Sequence, residues 1–307
     1  MGPKKLKSAL SNLLSKQKEK QKQNEKQKKT EQLEQERKKK QAASQKQQQK
    51  PPYEFLDKIL LVGEGNFSFA RSLVENITNG GENLVATCYD SEEVLYEKYE
   101  GEAKDNIDVI KELGATVLFE VDATQLEKCK ALRKLKFSKI VFNFPHAGAG
   151  IKDQDRNVQS NQKLLKSFFV SAAPFLQSKT AGDEVDGEIH VTLKSGQPYD
   201  LWSIRTMAKA TDLLRPKTAF PFVPSMYPGY AHRRTLGFKE GQSKRENEEI
   251  ADKKPKTYIF VRSQVMQEDI EKSKEGMARK RSVMRDLQGP NKKKRRIEAA
   301  QSESDED

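Results

Sequence analysis

The stretch Ile59-Leu-Leu-Val-Gly-Glu-Gly-Asn-Phe-Ser-Phe-Ala-Arg71 decides the fold. An apolar run of strand length, Ile59 to Val62, meets the glycine turn Gly63-Glu64-Gly65, and Phe67 to Asn76 then carries apolar residues at helical spacing. A strand, a glycine turn and a helix in that order is how α/β proteins receive a nucleotide. The first glycine permits a tight turn, and the second lets a ligand approach the backbone with no Cβ in the way. Ser68 stands where a dinucleotide fingerprint has its third glycine. A pyrophosphate needs close approach along the whole turn, whereas a nucleoside ligand without phosphates does not. An ordinary strand-to-helix connection is the competing reading of so short a motif.

Outward from that turn the pattern repeats. Leu84 to Tyr89 reads as a second strand ending at Asp90, with a polar helix to about Leu113. Thr116 to Val121 reads as a third strand ending at Asp122, and Gln125 to Leu135 as a helix. Ser138 to Phe142 is a fourth strand, closed by Asn143-Phe144-Pro145-His146. Asn157 to Leu176 has core-spaced leucines and phenylalanines and gives the longest helical pattern. Glu188 to Leu193 is a fifth strand, and a helix runs from Pro198 to about Leu214. A proline- and aromatic-rich loop over 216–238 precedes the strand Tyr258 to Val261. Strands alternating with helices predict a mostly parallel sheet with helices on both faces. Ligands of such sheets lie beyond the carboxyl ends of the strands, where the polar residues fall.

Charge divides the chain differently. Residues 1–50 carry 16 Lys and Arg against 5 Glu and no aromatic residue, while the whole protein is +12. The basicity sits in the ends, and the middle is close to neutral. The chain is thus expected to have three parts: a disordered Lys/Gln-rich arm over 1–50, a folded domain over 51–265, and a basic then acidic tail over 266–307. The arms have too little apolar surface to collapse. Lysine-rich arms suit polyanions, through counterion release without sequence specificity. Lys38-Lys39-Lys40 and Lys292 to Arg296 also read as nuclear or nucleolar signals, and the competing reading is a solubilising charge run. Cys88 and Cys129 lack metal-ligand spacing, so no metal is expected, and the usage suits a reducing compartment. No apolar run approaches membrane-spanning length, so a soluble intracellular protein is expected.

Each strand end offers chemistry. Asp90 lies where an acidic side chain accepts ribose hydroxyls, or else caps a helix. Asp122 and its neighbouring amides suit an adenine edge, or a cap. Asn143, the Phe144 carbonyl fixed by Pro145, and His146 suit a planar base, with Pro145 expected to hold Phe144 extended. His190 reads as structural. Tyr227, Tyr230 and His232, with Arg233 and Arg234, suit base stacking and phosphate clamping; a bland proline–glycine loop is the alternative.

Four segments together resemble the fungal 25S ribosomal RNA (uridine-N3)-methyltransferases: Val62 to Ala70, Asn143-Phe-Pro-His-Ala-Gly148, Leu193-Lys-Ser-Gly-Gln-Pro-Tyr199, and Tyr227 to Phe238. The resemblance spans roughly 55–262. It implies a class I, Rossmann-like, S-adenosylmethionine-dependent enzyme of the nucleus and nucleolus, acting on ribosomal RNA in a pre-ribosomal particle. A monomer is expected. It also implies that Gly63, Glu64, Gly65, Asn66, Phe67 and Ser68 wrap the methionine and ribose side of the cofactor. Asp90 would take the ribose hydroxyls, and Asp122 with Ala123 the adenine. Asn143, Phe144, Pro145 and His146 would hold the uracil, with His146 or His232 as the base. Two rival classes remain at this point: a dinucleotide-dependent oxidoreductase on a similar sheet, and a non-catalytic RNA-binding assembly factor.

Overall fold

The computed structural model describes residues 50–148, 150–151, 153–233, 247, 250 and 252–287. The chain divides into a unit over 1–52 and a unit over 53–307, and the second unit holds the sheet. Seven strands form it in the order β3-β2-β1-β4-β5-β7-β6. In chain order the elements are β1 (Ile59–Val62), α1 (Ser68–Asn76), β2 (Leu84–Thr87), α2 (Glu92–Glu112), β3 (Thr116–Leu118) and β4 (Lys139–Asn143). They continue with α3 (Gln154–Ala172), β5 (Glu188–Leu193), α4 (Ile204–Lys209), β6 (Leu214–Pro221), β7 (Lys256–Arg262) and α5 (Ser263–Leu287). Strands β1 to β5 pair in parallel, and β7 is antiparallel to both β5 and β6. This is the mostly parallel sheet that the alternation of elements predicts, in the class I Rossmann-like form that the resemblance implies.

The centre of the sheet explains its apolar runs. All four residues of β1 are buried, because a parallel strand is covered on both faces. Leu60 and Val62 join a core with Phe168, Phe169 and Phe260 on one side. Ile59 and Leu61 join the other core, with Phe69, Leu73 and Ile107. Val62 is level with Phe142 of β4, so the glycine turn and the Asn143 segment leave neighbouring strands side by side. The strand order reverses direction between β1 and β4, which opens a crevice there.

Six local expectations change. Gln125 to Leu135 is not a helix: a 3₁₀ turn covers Leu126–Lys128, and further turns come after it. The Leu126 amide donates to Ser171 Oγ of α3 at 2.7 Å, so that amide is spent on a side chain. The third strand stops at Leu118. The helix read from Pro198 to Leu214 is a 3₁₀ turn plus the six-residue α4. The segment taken as loop from 216 begins inside β6, an edge strand where Pro216 and Pro221 are tolerated. At 21 residues α2 is longer than α3. Beyond β7, α5 extends into the region assigned to the tail; its described side chains are mostly exposed.

Candidate active site

Beyond the ends of β1, β2 and β4 lies a cavity of about 580 Å³. Its walls come from the glycine turn, the ends of β2 and β4, the 121–124 turn, one face of α3, and the 230–233 segment. The Gly63 and Gly65 positions are set by protein as much as by ligand. Gly63 has φ +68, and a Cβ there would lie 2.5 Å from the Phe142 ring. A Cβ on Gly65 would lie 2.9 Å from the Tyr99 hydroxyl, so this glycine makes room for a tyrosine. Between them Glu64 faces the cavity. Burial pushes its carboxyl up to about 7, partly offset by the Ala70 amide donating to Oε2 at 3.3 Å. Among the described residues no cation pairs with Glu64.

The next residues do something other than line the cavity. Phe67 is fully buried in the core with φ 60, and Ser68 is buried outside the cavity wall. Ser68 Oγ donates to Asn66 Oδ1 at 2.9 Å and accepts the Ala231 amide at 3.0 Å. Asn66 Nδ2 donates to the Ala231 carbonyl at 3.2 Å, and Asn106 Nδ2 donates to the Asn66 carbonyl at 2.8 Å. The serine in place of a third glycine is thus a staple. It fastens a segment more than 160 residues downstream against the turn.

The acidic strand ends separate in role. Asp90 is not a helix cap, because Ser91 caps α2. Its carboxylate lines the cavity and takes Lys98 Nζ at 2.7 Å on each oxygen. Asp122 Oδ1 accepts from the Thr124 amide and hydroxyl, both at 2.7 Å, and Oδ2 from Gln125 at 3.3 Å. The carboxylate therefore holds its own turn, and Asp122, Ala123 and Thr124 together line the cavity.

At the end of β4 the backbone differs from expectation. Phe144 is left-handed, with φ 50, although a residue before proline favours extended backbone. A bulky residue in that region costs on the order of 1–3 kcal/mol. The surroundings impose it: the Phe144 amide donates to the Thr192 carbonyl at 2.8 Å. Its ring packs against Phe222 at 5.5 Å and His232 at 4.6 Å. Asn143 is held from the neighbouring strand. Thr192 Oγ1 donates to Asn143 Oδ1 at 2.7 Å, so the side-chain oxygen is taken. Nδ2 is buried without a partner.

His146 stands at the rim. Its Nδ1 accepts the Gly148 amide at 2.9 Å, and the loop is held by Asn161, whose Oδ1 accepts the Ala147 amide at 2.9 Å. Partial desolvation, aided by the Lys194 charge, lowers its pKa, so the ring is neutral at pH 7. His232 lies across the cavity with Nδ1 3.4 Å from the Tyr230 hydroxyl.

The expected RNA-facing residues mostly turn inward. Tyr227 is 3% exposed and stacks on Phe222 at 5.2 Å, so it is a core residue. Arg233 is committed to Glu102 through Nε at 3.0 Å and Nη2 at 2.9 Å; its fork ties the segment to α2. Arg234 lies outside the described residues. Tyr230 does line the cavity.

The family model described as rRNA (uridine-N3-)-methyltransferase BTM5-like matches residues 60–234, more than half of the chain. The chain belongs to that family. It is 33% identical over 228 residues to the 25S rRNA (uridine(2634)-N(3))-methyltransferase of Saccharomyces cerevisiae, covering 60% of this chain and 68% of that one. It is 36% identical over 215 residues to an uncharacterized protein of Arabidopsis thaliana, covering 69% and 95% respectively. Family membership makes this chain a methyltransferase and sets aside the oxidoreductase and non-catalytic readings.

Sequence reasoning missed several walls of the methyltransferase cavity. Ser160, Lys163, Leu164 and Ser167 line it from α3. Their spacing marks one helical face opposite the buried Leu165, Phe168 and Phe169, and that polar face was the available signal. Tyr89, 71% exposed, and Lys98 also line the cavity. Among the described residues no His, Cys, Asp and Glu cluster could hold a metal, and no helix is long and apolar enough to cross a membrane.

Proposed function

We propose that the protein uses S-adenosylmethionine to methylate N3 of a uridine in large-subunit ribosomal RNA, within a pre-ribosomal particle. Glu64 carries the cofactor part of this reading. A carboxyl desolvated in a ligand cavity without a cation is stabilised by a ligand that brings positive charge. S-adenosylmethionine brings two such charges, an ammonium and a sulfonium, and no phosphate. A dinucleotide would instead set its phosphates near Glu64 and Asp90. When bound, the cofactor supplies an electrophilic methyl group on sulfur.

The chain's own residues do the rest. Gly63, Glu64, Gly65 and Asn66 border the methionine end, and Asp90, paired with Lys98, offers acceptors to the ribose hydroxyls. The backbone at Ala123 borders the adenine. A volume of about 580 Å³ suits a small ligand site, and the uracil enters from the β4 side. Because N3 lies in the Watson–Crick edge, the uridine is unpaired or flipped when it reacts. Phe144, Tyr230 and His232 offer ring surfaces to the base.

The basic arm over 1–50 holds surrounding RNA through phosphates, and the Lys/Arg runs support a nuclear and nucleolar location. The test is mass spectrometry of ribosomal RNA nucleosides from cells lacking this protein. Loss of 3-methyluridine from the large-subunit RNA, restored by the wild-type gene, is expected; an unchanged level refutes the proposal.

A further inference from the structure

A uridine that leaves its stack to react brings its phosphates to the mouth of the cavity, and those charges need cations. Three Lys and Arg side chains line the wall: Lys98, Lys163 and Arg233. Lys98 is held by Asp90 at 2.7 Å and Arg233 by Glu102 at 2.9 Å. Lys163 is exposed and, among the described residues, meets no carboxylate. It lies on α3, where Arg156, Ser160, Lys163 and Ser167 follow at helical intervals and so share one face. Ser160, Lys163 and Ser167 border the cavity, and Arg156 extends the face beyond the wall. Arg156 stands about 10 Å from Lys163 along the helix axis. It too is exposed and without a carboxylate partner among the described residues.

We propose that Arg156 and Lys163 of α3 bind the phosphates that flank the target uridine, so that the RNA strand runs along this helix as the base enters the cavity. The inference rests on the uridine reading above and names the surface that carries its RNA. Side chains of α3 fix the helix on both sides of Lys163. Asn161 Oδ1 accepts the Ala147 amide at 2.9 Å, beside His146, and Ser171 Oγ accepts the Leu126 amide at 2.7 Å. The cations therefore sit on an anchored element that adjoins the loop after β4. Lys194 adds positive charge near His146, whose pKa it helps to lower. The acids nearest in sequence are directed elsewhere. Asp153 caps α3 by accepting the Arg156 amide at 2.8 Å, and Asp155 projects about 100° round the helix from Arg156. An arginine takes two phosphate oxygens at once, and a lysine acts as a point charge. Phosphate contacts orient a strand without reading its bases, which leaves recognition of the uridine to the cavity. Arg233, tied to Glu102, is not available for this role.

Binding of the full-length protein to large-subunit ribosomal RNA over a salt series tests the assignment. Each phosphate contact on a single strand adds about 0.7 to the slope of log affinity against log salt. K163Q and R156Q should each lower the slope by about that amount, and the double variant by about 1.4. K163R and R156K should keep it. Both residues are exposed, and circular dichroism establishes that each variant is folded. An unchanged slope in the double variant overturns the proposal. So does a K163Q protein that binds S-adenosylmethionine more weakly at an unchanged slope, because Lys163 then serves the cofactor. Nucleoside mass spectrometry separates the proposal from the reading it rests on. Lowered slopes, with wild-type protein methylating a nucleoside other than uridine, uphold the phosphate contacts and refute the function reading.

Discussion

Replacing Glu64 by Gln tests what the buried carboxyl is for. Burial raises its pKa from an ordinary 4.5 to about 7. The folded, ligand-free protein therefore binds more protons than the unfolded chain between those values, and stability must fall as pH rises from 4.5 to 7. At about 1.4 kcal/mol per tenfold change in acidity, the penalty above pH 7 is about 3.5 kcal/mol. That figure is a ceiling, since Glu64 faces the cavity and water there screens it. Gln keeps the shape and the acceptor for the Ala70 amide without the charge. Ligand-free E64Q should thus be more stable than wild type at pH 8 and no more stable at pH 4.5, read by denaturant unfolding. Binding of S-adenosylmethionine should show the complement. Below pH 7 the wild-type carboxyl must lose a proton to pair with the ligand's cation, so affinity falls about tenfold per pH unit towards pH 5. In E64Q titration calorimetry should give a weaker affinity that is flat over that range. Parallel pH dependence in the two proteins would refute the reasoning.

Other consequences are as direct. Gly63→Ala places a methyl group 2.5 Å from the Phe142 ring at φ +68; it should cost at least about 2 kcal/mol of stability, read by denaturant unfolding. Arg233→Ala and Glu102→Ala should show coupling of about 1 kcal/mol in a double-mutant cycle. Arg233→Ala should also leave the salt slope of RNA binding unchanged, because its guanidinium is held within the protein. Ser68→Ala releases the Ala231 amide; it should raise the KM for RNA more than it weakens the cofactor, measured by steady-state methylation and calorimetry. Removing residues 1–50 should flatten the salt dependence of RNA binding while cofactor affinity stays constant.

The sheet was legible because its signal is local. Ile59 to Val62 is an unbroken apolar run, and the polar or glycine residues at or just past the apolar runs, Gly63, Asp90, Asp122 and Asn143, identify the carboxyl edge. Residue pairs far apart in the chain were not legible. Nothing near Ser68 indicates Ala231, and nothing near Arg233 indicates Glu102, so a staple read as a cofactor contact and an internal ion pair as a phosphate clamp. Tyr227 looked like a stacking platform because composition cannot tell an aromatic loop from an aromatic core. Phe144 departs from the local rule since the Thr192 carbonyl and two rings outweigh the bias imposed by Pro145. The prolines of β6 gave a loop by local rules, and only its place at the sheet edge makes them compatible with a strand.

The central claim is methyl transfer to N3 of uridine. Purified protein should be incubated with isotopically labelled S-adenosylmethionine and large-subunit ribosomal RNA that lacks the modification, and the RNA digested for nucleoside mass spectrometry. The account predicts label in 3-methyluridine and in no other nucleoside. Label in any other nucleoside, or none at all with wild-type protein that binds both RNA and cofactor, would contradict it.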